Sequence, residues 1–223
     1  MGMESWEEKR LQEICESISC GGTPSGRIKN TGDIPFLKVY NIVQNRINFI
    51  DKPQFIDCDT HNKRLKKSQL CPNDVIMNIV GPPLRKIAIV PNDYSEWNMN
   101  QAIVRFRPLS CLNHRYLYLC LCYPKTLDNV ISDTKGVVGQ ANISITQSKN
   151  LVILLPSLPE QKEIVRILDN LFEKEQRYRE LCDIIDKIDL MKKAILARAF
   201  RGELGTNDPG EESAAGLVRG DEV

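Results

Sequence analysis

One uninterrupted helical pattern, which starts after Pro156 and continues to about residue 203, most constrains what this chain can fold into. An apolar strand pattern at residues 151–155 precedes it, and Pro156 and Pro159 lie at the predicted turn between the two. At about 1.5 Å per residue the helix would extend roughly 69 Å, which is too long for a compact domain of roughly 150 residues. Helices of this length usually form coiled coils, membrane spans or repeats. The pattern therefore predicts a globular head followed by a helix that needs a partner.

Both ends of this segment carry helix-boundary residues. Ser157 and Glu160 fit an S-x-x-E capping box, and Pro159 occupies the first turn, where its missing N–H is not needed. Gly202 and Gly205 offer C-cap positions at the other end. These residues predict a helix that begins near residue 158 and ends near residue 203.

Apolar residues along the segment recur at steps of three and four, so they form one stripe on the helix. We expect this stripe to pair with a second helix. Lys174, Glu175 and Asp189 lie on or beside the stripe and favour a short bundle over a regular zipper. The alternative is a long amphipathic helix that lies along its own domain. The residues predicted to make the dimer contact are Ile164, Ile167, Leu168, Leu171, Tyr178, Leu181, Ile185, Ile188 and Ile195.

Composition argues against a membrane protein and against a metal or disulfide framework. The chain is 42% hydrophobic without any apolar run long enough to span a membrane, and its acidic N-terminal segment does not resemble a secretion signal. Its eight cysteines form no C-x-x-C pair, and there are only two histidines. We therefore expect reduced core thiols in a cytoplasmic protein, with no metal and no cofactor.

Charge is distributed unevenly along the chain. Residues 1–150 contain 19 Lys and Arg against 14 Asp and Glu, a net charge of +5. Residues 151–223 contain 11 against 15, a net charge of −4. A mildly basic head permits nucleic-acid binding but does not require it.

The head consists of short strand patterns separated by turns. The expected elements are a short helix at 5–19, a strand at 34–42, an extended pair around Pro53 at 47–56, two strands within 74–90, another strand within 97–108, a helix or strand at 114–124, and a glycine loop with a last strand within 136–156. This pattern predicts an α+β fold: a globular domain with a mainly antiparallel or mixed sheet and short helices, followed by one long α-helix that pairs as a coiled coil. We expect the head at 1–156, the helix at 157–204 and a flexible tail at 205–223.

Polar residues in loops and in one basic cluster are the candidates for nucleic-acid contact. The glycine-rich loop at 20–26 lets backbone N–H groups approach a ligand, although a simple tight turn is the alternative. Residues 61–70 carry four basic side chains, which as a helix would form a phosphate-facing patch or an ordinary solvated face. The predicted contacts, each of which could instead be an ordinary surface residue, are Thr23, Ser25, Arg27, Lys63, Arg64, Lys66, Lys67, Arg85, Lys86, Lys135 and Gln140.

Catalytic motifs are missing from the sequence. It contains no P-loop, no G-x-S-x-G, no H-E-x-x-H and no Asn-Pro-Pro-aromatic motif of the kind that adenine methyltransferases use. We therefore expect this chain to catalyse nothing itself.

Several segments, taken in their order along the chain, resemble one family. Those that look like a target-recognition domain are GGTPSGR (21–27), GDIPFLKVYNI (32–42), DVIMNIVGPPLRKIAIV (74–90), NQAIVRFRP (100–108) and GQANIS (139–144). Those that look like the helix that follows are NLVILLPSLPEQKEIVRILD (150–169) and MKKAILARAFRGEL (191–204). Together they cover about residues 5–204 and resemble the specificity subunit of type I restriction-modification systems.

The resemblance implies a function. In that family the specificity subunit reads DNA without an active site and holds methyltransferase subunits on the target, and restriction subunits join in the full complex. The usual subunit has two recognition domains and two helical spacers, whereas this chain matches one of each. The implied protein is a half-length specificity subunit that binds double-stranded DNA, pairs with itself and reads a split palindrome. The alternatives are a recognition module for a stand-alone methyltransferase and a coiled-coil adaptor that does not bind DNA.

Overall fold

The computed structural model describes residues 6–24, 28–134 and 142–204. Within these residues the chain forms two compact units, one that ends at Arg166 and one that starts at Ile167. The first unit contains all the strands and the short helices.

The centre of the first unit is an antiparallel sheet of four strands in the order β2–β11–β8–β9. The strands are β2 (Cys15–Cys20), β8 (Val75–Asn78), β9 (Ile87–Ile89) and β11 (Ile103–Pro108). Apart from Asn78, the residues of β8 and β9 are apolar on both sides because both faces of this sheet are covered by other elements.

A second sheet has the order β6–β3–β10–β7, in which β3 and β10 are parallel and the outer pairs are antiparallel. Its strands are β3 (Ile34–Leu37), β6 (Phe55–Ile56), β7 (Gln69–Leu70) and β10 (Trp97–Met99). Two further antiparallel pairs join β1 (Glu7–Arg10) to β12 (Val152–Leu155) and β4 (Ile42–Val43) to β5 (Arg46–Ile47).

Four short helices belong to the described part of the first unit: α1 (Leu11–Ile14), α2 (His114–Cys122), α3 (Pro124–Thr134) and α4 (Ile145–Lys149). Asn113 caps α2, because its side chain accepts hydrogen bonds from the N–H groups of Arg115 and Tyr116. Ser144 and Gln147 form a capping box at α4. Polar residues outside the apolar patterns therefore determine where these helices begin.

The hydrophobic core lies on both faces of the central sheet. Val75, Met77 and Phe106 point to the face that the helices cover. Ile76 and Ala88 point to the other face, where the second sheet lies and Trp97 is fully buried. This alternation follows from the two-residue period of a strand.

The predicted α+β fold with a mixed set of sheets is confirmed, but some predicted elements are wrong. Residues 5–19 were expected to form a helix, yet they contain β1, one helical turn and β2. Pairing with β12 and β11 overrides the helical pattern there, because sheet contacts outweigh local propensity. Residues 61–70 do not form a regular α-helix: the chain makes a π-helical turn at Thr60–Arg64, a 3₁₀ turn at Lys66–Ser68 and then β7.

Two further predicted elements agree with the structure, and a third agrees only in part. The segment 74–90 forms two strands, and 114–124 takes the helical alternative. The segment 97–108 contains two strands, β10 and β11, rather than one, because a turn at residues 100–102 separates them.

The long helix is present as α5 (Leu158–Phe200), which begins in the first unit. The Glu160 half of the predicted capping box is present, since the Ser157 N–H and hydroxyl both donate to the Glu160 carboxylate. At the C-terminus Gly202 has a positive φ, the Gly202 N–H donates to Ala199 O and the Glu203 N–H to Arg198 O, which form a Schellman motif. Gly205 lies outside the described residues. Among the described residues, no helix combines the length and the apolar character that crossing a membrane requires.

Candidate nucleic-acid interface

One end of the central sheet gathers several of the predicted contact segments. Cys20 pairs with Val104, Val104 with Met77 and Met77 with Ile87. The chain therefore leaves β2, enters β11, leaves β8 and enters β9 at the same end of the sheet, which we call the loop end. Adjacent strands lie about 4.8 Å apart, so the loops after β2 and before β9 are about 14 Å apart, close to the width of about 12 Å of the DNA major groove.

The glycine-rich loop is held tightly at the loop end. Gly21 N donates to Ile103 O at 2.9 Å, and Gly22 N donates to Met99 O at 3.2 Å. A Cβ atom on Gly21 would lie 1.9 Å from the carbonyl oxygen of Asn100, so no side chain fits at this position. Thr23, which follows directly, is exposed. The loop thus presents Thr23 from a fixed backbone, whereas Ser25 and Arg27 lie outside the described residues.

The basic cluster packs beside this loop. Ser19 Oγ, in β2, donates to Lys67 O at 2.9 Å. A Cβ atom on Gly22 would lie 2.5 Å from Cδ2 of Leu65, so the second glycine allows the loop and the cluster to come together. The predicted residues Thr23, Lys63, Arg64, Lys66 and Lys67 therefore share one surface, and all are exposed.

A buried histidine anchors the cluster. His61 is fully buried, and its Nδ1 lies 3.0 Å from Nδ2 of Asn98, which also donates to Leu65 O at 3.2 Å. Because the Asn98 amide Nδ2 can only donate, Nδ1 of His61 acts as the acceptor and the imidazole is neutral. Burial lowers the pKa of His61, and Glu96, whose carboxylate lies 3.7 Å from Nε2, opposes that shift. The neutral ring holds the basic turns against the second sheet.

The cations of the cluster differ in their neighbours. Lys63 pairs with Asp59 at 2.5 Å, which neutralises part of its charge. Lys66 and Lys67 form no ion pair with the described residues. These two lysines are therefore the side chains of the cluster best suited to contact phosphates.

The turn between β8 and β9 forms the other side of the loop end. The Asn78 side chain donates to Pro83 O at 2.8 Å and accepts from Lys86 N at 2.8 Å, so it holds the turn closed. Arg85 pairs with Asp128 of α3 at 2.5 Å, and Lys86 Nζ lies 3.5 Å from Val39 O. Both predicted residues thus have partners within the domain and are only half exposed.

Part of the segment expected to form a glycine loop and last strand, within 136–156, also lies at the loop end. Asn142 bridges Val80, and Ile143 N donates to Ile79 O at 2.9 Å. The predicted contacts Lys135 and Gln140 precede Asn142 and lie outside the described residues. The part of this loop that the structure describes therefore joins the β8–β9 turn at the loop end.

Two arginines of β11 stabilise the domain from within. Arg107 binds the carboxylate of Asp74 through Nε at 2.8 Å and through Nη2 at 2.7 Å, and this hydrogen bonding raises the pKa of Arg107. Arg105 donates to Ser17 Oγ at 2.9 Å and also to Gln69 O. Burial lowers the pKa of Arg105, which nevertheless remains a cation. Both arginine side chains therefore bind groups of the domain itself and stabilise the fold.

The opposite end of the central sheet, where β11 ends, holds the start of α5. Gln161 is fully buried, and its Nε2 donates to Cys111 O and Pro156 O, each at 2.9 Å. Its Oε1 accepts from Asn113 N at 2.8 Å. One side chain therefore joins the first turn of α5 to the end of β12 and to the cap of α2. The sequence pattern showed no sign of this role, because a glutamine in a helix is usually exposed.

The predicted dimer stripe divides into two parts. Ile164 packs against the core of the first unit, which gives its apolar character a reason within the domain. Leu168 is half-buried. The remaining members are between 44% and 67% exposed: Ile167, Leu171, Tyr178, Leu181, Ile185, Ile188 and Ile195. The use of all nine in dimerisation stays a prediction.

Comparison with known families gives one match over most of the chain. The family model described as "Type I restriction modification DNA specificity domain" matches residues 3–182.

Curated relatives agree with this match. The chain is 30% identical to the type I restriction enzyme EcoBI specificity subunit of Escherichia coli over 163 residues, covering 69% of this chain and 34% of that protein. It is 26% identical to the MjaIX specificity subunit of Methanocaldococcus jannaschii over 194 residues, covering 84% of this chain and 42% of that protein. The chain thus matches less than half the length of these relatives. The prediction of a specificity component agrees with their names.

Solved structures share the fold. The HsdS subunit from Thermoanaerobacter tengcongensis is 21% identical, with a TM-score of 0.61 over 90% of this chain and 46% of that one. A chain from work on complex assembly and conformational transition of the type I R-M system is 20% identical, with a TM-score of 0.69 over 90% of this chain and 47% of that one. The fold of the described residues is therefore one that such subunits adopt.

Proposed function

This chain belongs to the family of type I restriction-modification DNA specificity domains, and we propose that it is the DNA-reading component of such a system. The observation that carries the proposal is the family match over residues 3–182. The arrangement of the loop end supports it, because a fixed glycine loop, exposed lysines and the β8–β9 turn lie at one end of one sheet. Phosphate contacts of the lysines would set the position of the domain on DNA, and loop side chains would read base edges.

We further propose that two copies of the chain pair through α5. The exposed part of the stripe in the second unit carries apolar side chains at intervals over about eight helical turns, which is unfavourable in water. A second copy can cover it through a two-fold interface in which each stripe meets its counterpart. Two identical recognition domains would then read two inverted half-sites, that is, a split palindrome. Within this proposal the domain limits are 1–156 for recognition, 157–204 for pairing and 205–223 for the tail.

The proposed assembly includes methyltransferase subunits, which the paired chains would hold on the target, and restriction subunits in the full complex. Support comes from the names of the relatives, which are components of type I restriction enzymes. The described residues contain no cluster of His, Cys, Asp and Glu side chains suited to a metal ion. The proposed role needs none, because reading DNA requires only hydrogen bonds, charge and shape.

Salt-dependent DNA binding tests the interface. Replacing Lys66 and Lys67 by alanine removes two phosphate contacts, so the slope of log K against log salt should become shallower by about 1.8. Affinity should fall about equally for all DNA sequences, because phosphates carry no base information. The measurement is a binding titration on duplex DNA between low and physiological salt, with the full chain.

A matched control is the variant in which Lys125 and Lys149 are replaced by alanine. Both are exposed lysines of α3 and α4, and neither belongs to the loops described above. The control should keep the wild-type slope. Equal slopes for the two variants would contradict the assignment of the basic cluster to phosphate binding.

A methylation map tests the wider proposal. The chain is co-expressed with its cognate methyltransferase subunit in a host without DNA methylation, and the modified bases are sequenced directly. A split palindromic motif supports two identical half-sites. An asymmetric motif would mean that a second, different recognition chain takes part, and the absence of methylation with both proteins well folded would favour the adaptor alternative.

A further inference from the structure

The centre of the loop end is formed by the turn between β10 and β11, at residues 100–102. Gln101 is exposed at the tip of this turn, Asn100 beside it is half-buried, and Ala102 carries no polar group. Gln101 is thus the exposed side chain of the turn that can offer both a donor and an acceptor to a ligand.

The turn that carries Gln101 is held by hydrogen bonds to three neighbouring segments and by one hydrogen bond across the turn itself. Asn100 N donates to Leu37 O at 2.9 Å, and Ile103 N donates to Asn100 O at 3.1 Å. Ala102 O accepts from Ile79 N at 2.9 Å, and Met99 O accepts from Gly22 N at 3.2 Å. Because the backbone is already ordered, a contact by Gln101 would cost only the ordering of its own side chain.

The strand order places Gln101 between the two sides of the loop end. The turn leads into β11, and β11 lies between β2 and β8 in the central sheet. The glycine loop with Thr23, which follows β2, therefore lies about one strand spacing to one side, and the lysine cluster packs beside that loop. The β8–β9 turn lies about one strand spacing to the other. If the flanking segments contact the two phosphate backbones beside a groove, the middle position faces the base edges.

The chemistry of the side chain selects the base. A glutamine amide presents one donor and one acceptor side by side, which match N7 and the N6 amino group of adenine in the major groove. A lysine or arginine at this position would instead favour guanine or the backbone, because it can only donate.

We propose that Gln101 is a specificity-determining residue that reads one adenine in each half-site, an inference that rests on the proposed function. A good bidentate pair discriminates against the wrong base by roughly 10-fold or more. The replacement Gln101→Ala should therefore relax one A·T position of the motif and leave the other positions and the gap unchanged.

The experiment compares methylation maps of wild-type chain, Gln101→Ala and Gln12→Ala, each co-expressed with the cognate methyltransferase subunit. Gln12 is an exposed glutamine of α1, outside the loop end, so its variant should reproduce the wild-type motif. Thermal unfolding of each variant is measured alongside. Gln101 is exposed and forms no hydrogen bond with a described residue, so its removal should leave the unfolding temperature unchanged.

The outcomes separate the two proposals. If the wild-type chain directs no sequence-specific methylation, the proposed function fails. If the wild-type motif is defined and Gln101→Ala shows the same base preferences at every position, only the assignment of Gln101 is overturned. Relaxation at a G·C position instead of an A·T position would likewise overturn the adenine contact. Relaxation by about 10-fold or more at one A·T position, with Gln12→Ala unchanged, supports it.

Discussion

The two compact units differ in the exposure of their large apolar side chains, which are mostly buried in the first unit and largely exposed in the second. In the first unit Trp97 and Phe106 are fully buried, and buried polar groups such as Asp74 and Gln161 have partners. In the second unit Tyr178 is 67% exposed and Phe200 is 89% exposed. The first unit therefore completes its core with its own residues, whereas the second leaves large apolar side chains exposed, which is unfavourable in water.

The same apolar periodicity along α5 therefore corresponds to core packing in the first unit and to exposed side chains in the second. The apolar residue Ile164 of α5 packs on the core of the first unit, while Ile185 of the same helix is 58% exposed. Substitutions in the first unit should thus change the free energy of unfolding, and substitutions in the second should change association between chains.

The largest effect is expected for Ile185→Glu. A two-fold interface contains the substitution twice, and each copy loses about 2 kcal/mol of apolar burial in addition to the cost of a buried charge. Self-association should weaken by about 1000-fold or more, while the fold of the first unit is retained. Sedimentation equilibrium gives the dissociation constant.

The control for this variant is Lys187→Glu, which also adds negative charge to the second unit but lies off the stripe. It should change association little, because surface charges contribute weakly. If Ile185→Glu associates as strongly as Lys187→Glu, α5 does not pair through this stripe.

A smaller effect, now within the first unit, is expected for Asp74→Ala. Asp74 is 2% exposed, binds Arg107 through two hydrogen bonds and also accepts from Cys71 N at 2.8 Å. The variant leaves a partly buried guanidinium without its anion, which should cost about 4 kcal/mol in the free energy of unfolding. Denaturant titration measures it, and exposed Asp93→Ala should stay within about 0.5 kcal/mol of wild type. Similar values for the two variants would refute the structural role of the ion pair.

Gln161→Ala should cost somewhat less, about 3 kcal/mol, because three backbone groups each lose an uncharged hydrogen bond to this buried side chain rather than an ion pair. Gln176→Ala is the matched control, since Gln176 lies on the same helix and is exposed, with a bond to Glu180. A loss of stability confined to Gln161→Ala, seen in denaturant titration, would show that the start of α5 belongs energetically to the first unit. Equal stability of both variants would show the opposite.

The smallest effect is a dependence on pH that arises from His61. Its pKa is lowered in the folded protein by burial, so the unfolded chain binds a proton more readily. The stability contributed by neutral His61 is therefore fully present above the unfolded pKa of about 6.5 and is lost as pH falls below it. Thermal unfolding from pH 7.5 to 5.5 should show this decline. The variant His61→Gln, with no titrating group, should show a shallower decline, and an identical slope would exclude His61 as its source.

Local patterns predicted the parts of the fold that depend on neighbouring residues in the chain. The cap at Ser157 and Glu160, the C-cap at Gly202 and the two strands around the β8–β9 turn depend on hydrogen bonds or backbone angles within a few residues. They were therefore visible in the sequence.

Pairing between distant segments was not visible in the same way. The helical pattern of residues 5–19 was overruled by contacts with strands more than 80 residues away. The candidate site was likewise predicted only in part: Lys66 and Lys67 are exposed as expected, whereas Arg85 is engaged by Asp128. The sequence pattern did not single out Gln101, because it predicted one strand where the structure has two strands joined by the turn that carries Gln101.

By itself the sequence determined that this protein has an α+β head with a long helix, and it determined the family to which the chain belongs. Only the tertiary structure decided which loops share one end of the central sheet, which cations are neutralised and which glutamine is buried. The physical reason is the sequence separation between the residues that make each contact. Helix periods, caps and turns are settled by neighbours along the chain, whereas strand order and burial depend on contacts between residues far apart in sequence.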